Sequence, residues 1–375
     1  MKQTLRKLAS SAVWMLCRLL PVNRKKVVFC SFGGKGFGDN PKAIALALLE
    51  TAPELDLVWL TRDLQISLPK GIRPCRFGTA RAVYELSTAK VWVDNSRSGA
   101  KYKKKSQKYL QTWHGYALKT IEAGAKNLPA AYVEQGKRDS KMIDLLLSNS
   151  RFMTELFQRD FWYDGQIGEY GSPRNDVFFR PVTCQETVRA AYGLPAEQKL
   201  LLYAPTFRDN EDCSCYELDA RKALAACRER FGGQWSALLR LHPNIARQSE
   251  TLFDCDGREL INASYYPDMQ ELMLMADVLV TDYSSSMFDF ALSGKPCVRF
   301  ALDLEQYKRD RDFYYSLEEL PFPLAQSNEE LCDILRTLSP EECSTQWTEF
   351  ASRNGFCEDG QASVRCAKWI KEQTN

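Results

Sequence analysis

From Lys25 onward the chain alternates short, nearly continuous apolar runs with stretches of helical periodicity. The runs KKVVFCSF, LDLVWLT, KVWVDNS, YLQTWHG, MIDLLLSNS and IGEYGSPRND each end in polar or small residues. That pattern predicts successive buried strands exiting into loops. Between the first two, Asp39 or Asn40 is placed to cap a helix with Pro41 at its first position, running through AIALALLE. After Pro181 the pattern starts again, and KLLLYAPTF, SALLRLHPN, ELINAS, ADVLVTDYSS and KPCVRFALD predict a second set of strands. Buried strands separated by helices form parallel sheets covered on both faces. The fold class predicted is α/β, with two Rossmann-like domains facing a cleft. The expected divisions are an N-terminal segment over residues 1–26, a first domain over 27–180 and a second over 181–375. The last helical stretch, from about Glu341 to Thr374, either caps the second domain or crosses back to the first; the boundaries given keep it with the second.

Composition narrows the class without deciding it. The 375 residues are 45% hydrophobic and 26% charged, as in a folded α/β enzyme. A net charge of +2 argues against a general nucleic-acid binder. The 13 cysteines are scattered, contain no CxxC, and read as free thiols in a reducing compartment. With two histidines available, a structural zinc site is not expected. No metal site and no cofactor are predicted, although a divalent cation could assist. No run approaches the roughly 18 apolar residues of a membrane-spanning helix. Residues 1–26 nevertheless mix Lys2, Arg6, Lys7 and Arg18 with Leu5, Leu8, Trp14, Leu16 and Leu19 before Arg24-Lys25-Lys26. Two readings stand: a basic amphipathic helix on an anionic membrane surface, or an ordinary helix packed on the domain.

The candidate chemistry lies at strand exits, where open α/β sheets bind ligands. His114 closes Tyr-Leu-Gln-Thr-Trp and precedes Gly115; His242 closes Ala-Leu-Leu-Arg-Leu and precedes Pro243. Both stand at equivalent exits in the two halves, and imidazole accepts a proton near neutral pH. Arg174, in the turn Gly171-Ser172-Pro173-Arg174-Asn175-Asp176, offers a charged fork that suits phosphate oxygens. Thr206, Phe207 and Arg208 follow the strand ending at Ala204, and Ser284 and Ser285 open a helix containing Asp289. Hydroxyls and N–H groups at a helix start can hold a diphosphate, or merely cap the helix. The run from Gly33 to Gly38 lacks the spacing of a dinucleotide or Walker loop, and reads as a flexible lip or a turn.

Together SFGGKGFGDNPKAI, QTWHG, YGSPRND, YAPTFRD, LRLHPN and DVLVTDYSSSMFDFALSGKPCVRF resemble the CDP-glycerol:poly(glycerophosphate) glycerophosphotransferase family of teichoic-acid and capsular polymer synthesis, over about residues 25–330. The resemblance implies a GT-B-type fold, with the acceptor served by the first domain and the CDP donor by the second. It implies transfer of glycerol phosphate, or another alditol phosphate such as that of CDP-ribitol, to a hydroxyl of a polymeric or lipid-linked acceptor, with release of CMP. On this reading His114 and His242 are catalytic. Gly115, Arg174, Asn175, Thr206, Phe207, Arg208, Pro243, Ser284, Ser285 and Asp289 bind the donor. The implied location is peripheral, on the cytoplasmic face of the membrane. The loop after QTWHG departs from the family's usual Thr-Pro-Leu-Lys-Lys, having Tyr116-Ala117-Leu118-Lys119-Thr120, and it is the loop expected to face the acceptor. Alternatives are a nucleotide-sugar glycosyltransferase of the same build and a non-catalytic binding protein of a surface-assembly complex.

Overall fold

The structure, a computed structural model, describes residues 12–98, 100, 102–180, 184–208, 214–242, 245 and 252–375. Two compact units divide the chain. One holds the residues up to His114, Ile121–Phe179 and Gly355–Asn375; the other holds Gly115–Thr120 and Arg180–Asn354.

The first unit is built on seven strands: β1 (Asn23–Cys30), β2 (Asp56–Thr61), β3 (Ile72–Arg76), β4 (Ala89–Asp94), β5 (Lys108–Gln111), β6 (Leu145–Ser148) and β7 (Ile167–Glu169). All pair in parallel, in the order β3-β2-β1-β4-β5-β6-β7. Val27 and Phe29 of β1, Leu57 and Trp59 of β2 and Val91 and Val93 of β4 form one core layer. Ile44 and Leu48, from helix Asp39–Thr51, and Cys366, Ala367 and Ile370, from helix Ala362–Thr374, cover it. Each large side chain so buried contributes about 1.5–3 kcal/mol by leaving water.

The second unit repeats the architecture with six strands: β8 (Lys199–Tyr203), β9 (Trp235–Leu239), β10 (Leu260–Asn262), β11 (Val278–Thr281), β12 (Cys297–Phe300) and β13 (Leu324–Ala325). They too are parallel, in the order β10-β9-β8-β11-β12-β13. Strand order reverses between β1 and β4 in the first sheet and between β8 and β11 in the second. At such switch points neighbouring crossovers run to opposite faces and leave a crevice beyond the strand ends.

Several sequence expectations change. β3 was not predicted, because IRPCR carries Pro74; a proline is tolerated at a sheet edge, and β3 is an edge strand. The two-residue β13 is the matching omission in the second sheet. The boundary at residue 26 falls inside β1, which begins at Asn23. The expected 181–375 domain loses its end: helix Pro340–Asn354 stays in the second unit, whereas Gly355–Asn375 belongs to the first. The reason is packing, since the apolar face of helix Ala362–Thr374 fills the core beside β1 and β4. Residues 115–120 move the other way, with Tyr116 packed on Phe288 and Phe350.

The Gly33–Gly38 run is a clamped turn. The backbone N–H of Arg62 donates to the carbonyl of Gly34, Arg62 Nε to that of Gly33, and Trp59 Nε1 to that of Gly36. Gly34 has φ +83°, and a Cβ there would lie 2.9 Å from Phe77 Cβ, so the position requires glycine. Asp39 and Asn40 do not cap their helix, whose N-cap is Gly38, with no side-chain cap bond. Their side chains are used elsewhere.

Residues 1–11 of the N-terminal segment lie outside the described residues. Residues 12–18 are helical. Trp14 is buried and meets Tyr102 edge-on, and the Arg18 guanidinium lies 5.7 Å from the same ring. Met15, Leu16 and Leu19 are exposed, Leu19 by 84%. Among the described residues no helix is long and apolar enough to cross a membrane. The cysteines with described side chains are free thiols.

Candidate functional site

In the first unit the site is assembled at the exits of β1, β4 and β5. His114 follows Trp113, a non-glycine residue held at φ +51°, and precedes Gly115 at φ +142°. The Trp113 N–H donates to Gln111 Oε1, and its carbonyl accepts from Asn40 Nδ2, so the turn is fixed on both sides. His114 Nδ1 lies 2.6 Å from the backbone carbonyl of Asn95, which stands one residue past β4. A carbonyl only accepts, so Nδ1 carries the proton and Nε2 is left as the basic nitrogen. The imidazole packs against Trp113 at 4.3 Å and Phe32 at 5.5 Å between ring centres. Burial holds its pKa below the ordinary value, against the Asn95 carbonyl and the carboxylates of Asp39 and Glu122, while Arg174 lowers it further.

The same network reaches Arg174. Asn95 Nδ2 donates to Asp39 Oδ1 at 2.8 Å; Arg174 Nη1 donates to Asp39 Oδ2 at 2.5 Å and to the His114 carbonyl at 2.8 Å. The backbone N–H of Arg174 donates to Asn40 Oδ1. Asn175 is buried, and its Nδ2 donates to Glu358 Oε1. Asp176 accepts from the backbone N–H groups of Ala362 and Ser363, which supplies the cap missing from helix Ala362–Thr374. The PRND loop is thus braced against the C-terminal segment on one side and His114 on the other.

In the second unit the exits of β8 and β11 meet at the switch point. Asp282 Oδ1 accepts from the N–H of Thr206 at 2.8 Å and of Tyr283 at 2.5 Å, tying the two exit loops together. Arg208 is buried and donates to Asp282 Oδ2, to both oxygens of Asp303 and to the Thr206 carbonyl. Its guanidinium lies 5.0 Å from the Tyr283 ring and 4.6 Å from Tyr307, rings that stack at 3.8 Å. The fork expected to meet phosphate is therefore engaged by two carboxylates. Thr206 Oγ1 is buried with no hydrogen-bond partner among the described residues, an unusual state for a hydroxyl. Phe207 packs on the core and stands 4.9 Å from the partly buried ring of His242. Ser284 Oγ accepts from the N–H and hydroxyl of Ser286, and Ser285 precedes helix Ser286–Ala291 without a side-chain cap bond. Asp289 is buried within that helix, and Gln270 Nε2 donates to it. Pro243 lies outside the described residues.

The two histidines that sequence reasoning singled out both follow buried strands, β5 and β9. That reasoning missed Asn95, Asp282, Asp303 and Glu358, and read Asp39 only as a cap. The strand-exit rule alone would have singled out Asn95 and Asp282, each just beyond a buried strand. Among the described residues no cluster of three His, Cys, Asp or Glu side chains could hold a metal ion.

Comparison with known proteins points one way. The chain is 32% identical over 380 residues to a teichoic acid poly(glycerol phosphate) polymerase of Bacillus subtilis (strain 168), covering 96% of this chain and 50% of that protein. A teichoic acid glycerol-phosphate transferase of Staphylococcus aureus (strain NCTC 8325 / PS 47) is 31% identical, with 98% of this chain and 99% of the relative covered. The chain thus spans about half the length of some curated relatives and nearly all of others. A solved structure of the wall teichoic acid polymerase TagF superposes with a TM-score of 0.86 at 30% identity, over 100% of this chain and 97% of that one. Residues 12–372 match a single family description, and the chain belongs to the CDP-glycerol:poly(glycerophosphate) glycerophosphotransferase family.

Proposed function

We propose that the chain transfers glycerol phosphate from CDP-glycerol to a hydroxyl of a cell-surface polymer or its lipid-linked precursor. The acceptor oxygen attacks the β-phosphorus in line, the bond from that phosphorus to the bridging oxygen breaks, and CMP leaves. The observation that carries this reading is His114, whose Nδ1 is engaged by the Asn95 carbonyl so that Nε2 is the proton acceptor. An alcohol is a weak nucleophile at neutral pH, and a positioned base contributes about 10²–10⁴-fold. His242, Thr206 and Phe207, with Ser284 and Ser285, are assigned to the donor: hydroxyl and imidazole groups for the diphosphate, the Phe207 face for packing. Arg174 and Arg208 act as braces, because their guanidinium groups are engaged by Asp39 and by Asp282 and Asp303.

Glycerol is favoured over ribitol as the transferred alditol. Relatives named as glycerol-phosphate polymerases or transferases are 30–33% identical, against 26–28% for those named for ribitol phosphate, although a glycerol-phosphate primase of Bacillus spizizenii stands at 27%. One TagF structure, at 29% identity and a TM-score of 0.85, was soaked with CDPG, which supports the donor class. The exposed Met15, Leu16 and Leu19 beside Arg18 support peripheral attachment to an anionic membrane.

The test is nucleotide release. With CDP-glycerol and a polyol-phosphate acceptor, CMP should appear, and with UDP-sugars no UDP. His114→Ala and His242→Ala should each abolish CMP release while thermal unfolding stays nearly unchanged. UDP release without CMP release would replace the phosphotransferase reading with a glycosyltransferase.

A further inference from the structure

We propose that Asp39 is the positioning carboxylate of His114, fixing through Asn95 and Arg174 which imidazole nitrogen is basic and where it points. The inference rests on His114 as the base of the proposed transfer.

Asp39 sits at the first turn of helix Asp39–Thr51, where an aspartate ordinarily caps its own helix. Here it makes no cap bond and adopts φ +62°, a region that residues other than glycine seldom occupy and that clusters at functional sites. Its side chain is only 7% exposed. Oδ1 accepts from Asn95 Nδ2 and from the Asn40 N–H, both at 2.8 Å, and Oδ2 accepts from Arg174 Nη1. Two of the three partners, Asn95 and Arg174, bond to His114 itself. Asn95 presents the carbonyl that holds Nδ1, and Arg174 donates to the His114 carbonyl. One carboxylate therefore closes a ring around the histidine without touching its imidazole. Phe32, also at positive φ, is held by the same asparagine through its N–H to Asn95 Oδ1. The bond from the Asn40 N–H serves the helix start, whereas the bonds from Asn95 and Arg174 are ones a helix cap would not need and an oriented base would.

Charge acts in the same direction. The groups facing the imidazole are Asp39 and Glu122, which favour its protonated form, and Arg174, which disfavours it; burial opposes protonation overall. Removing the Asp39 charge should lower the His114 midpoint, and removing the Arg174 charge should raise it.

The chain has two histidines, so imidazole NMR resolves both, and His242→Ala assigns them. Wild type should show His114 as the Nδ1–H tautomer, with a midpoint below the ordinary value. In Asp39→Asn the midpoint should fall and the tautomer preference weaken; in Arg174→Met the midpoint should rise. Opposite signs from neighbouring substitutions would not follow from general damage. In the CMP-release assay Asp39→Asn should lower kcat about 10–100-fold. The KM for CDP-glycerol should hold, and the acid limb of kcat/KM should move to lower pH. If Asp39→Asn does not fold, Asn95→Ala cuts the same link from the other side and should show the same weakened tautomer preference. A folded Asp39→Asn, or in its place Asn95→Ala, with unchanged tautomer and midpoint overturns the proposal. Absence of CMP release by the wild type overturns the transfer reading instead, and the NMR result still decides the role of Asp39.

Discussion

His114 donates its Nδ1 proton to the backbone carbonyl of Asn95 at 2.6 Å, and this contact leaves Nε2 as the nitrogen that can take a proton. Burial depresses the His114 pKa, so the neutral base persists below the ordinary value of about 6.5. The acid limb of kcat/KM for CMP release is expected below that pH, and His114→Asn should lose both the limb and most of the rate. A limb at or above pH 7 in the wild type would mean that another group is the base.

Arg208 offers a stability test that does not depend on substrate. Its guanidinium is buried and holds Asp282 and Asp303 together. Replacing it with methionine leaves two carboxylates without their cation, and breaking such a buried pair costs about 3–5 kcal/mol. Denaturant unfolding of Arg208→Met should show a loss of that order, and Arg208→Lys an intermediate one, because an ammonium cannot reproduce the fork. A loss below about 1 kcal/mol for Arg208→Met would show that the clamp is dispensable.

Asp94 makes stability depend on pH in a direction unusual for a carboxylate. Burial raises its pKa to about 7, against hydrogen bonds from Ser96, and Asp139 lies close enough to add to the rise. The folded chain therefore binds this proton more tightly than the unfolded one, whose aspartates titrate near 3.9. The contribution is fully present below the unfolded value and is lost as pH rises through about 7. Asp94→Asn mimics the protonated side chain, so its stability relative to wild type should improve by about 1–3 kcal/mol between pH 5 and pH 8. A difference independent of pH would show that Asp94 is ionised throughout.

How much of this was readable beforehand follows from where each interaction lies along the chain. Strands β1, β2, β8 and β11 were legible because parallel strands buried on both faces are continuous apolar runs. The placement of the histidines just beyond buried strands was legible because each closes a nearly continuous apolar run. Asp39 was not, because a helix-start aspartate has a local explanation that hides its partners, Asn95 and Arg174, far away in sequence. Arg208 was read as a phosphate ligand, and no local pattern shows that Asp303, 95 residues on, takes its fork. The return of helix Ala362–Thr374 to the first unit was equally hidden, since an amphipathic face does not name the core it fills.

The N-terminal helix yields the last prediction. Trp14 anchors it against Tyr102, and Met15, Leu16 and Leu19 point outward beside Arg18, which lies over the same tyrosine. Three large apolar side chains in water are costly, and each recovers about 1.5–3 kcal/mol when it enters an apolar phase. Basic neighbours add attraction to anionic lipid that fades with salt. Replacing Met15, Leu16 and Leu19 with serine should therefore reduce partitioning onto phosphatidylglycerol vesicles by at least about tenfold, because 1.4 kcal/mol corresponds to a factor of ten. CMP release with a water-soluble acceptor should stay at the wild-type rate, since none of the three lies near His114 or His242 in sequence. Binding to neutral phosphatidylcholine should be weak for both proteins and should not respond to salt. If the triple variant partitions onto anionic vesicles as well as wild type, the exposed face has no role at the membrane.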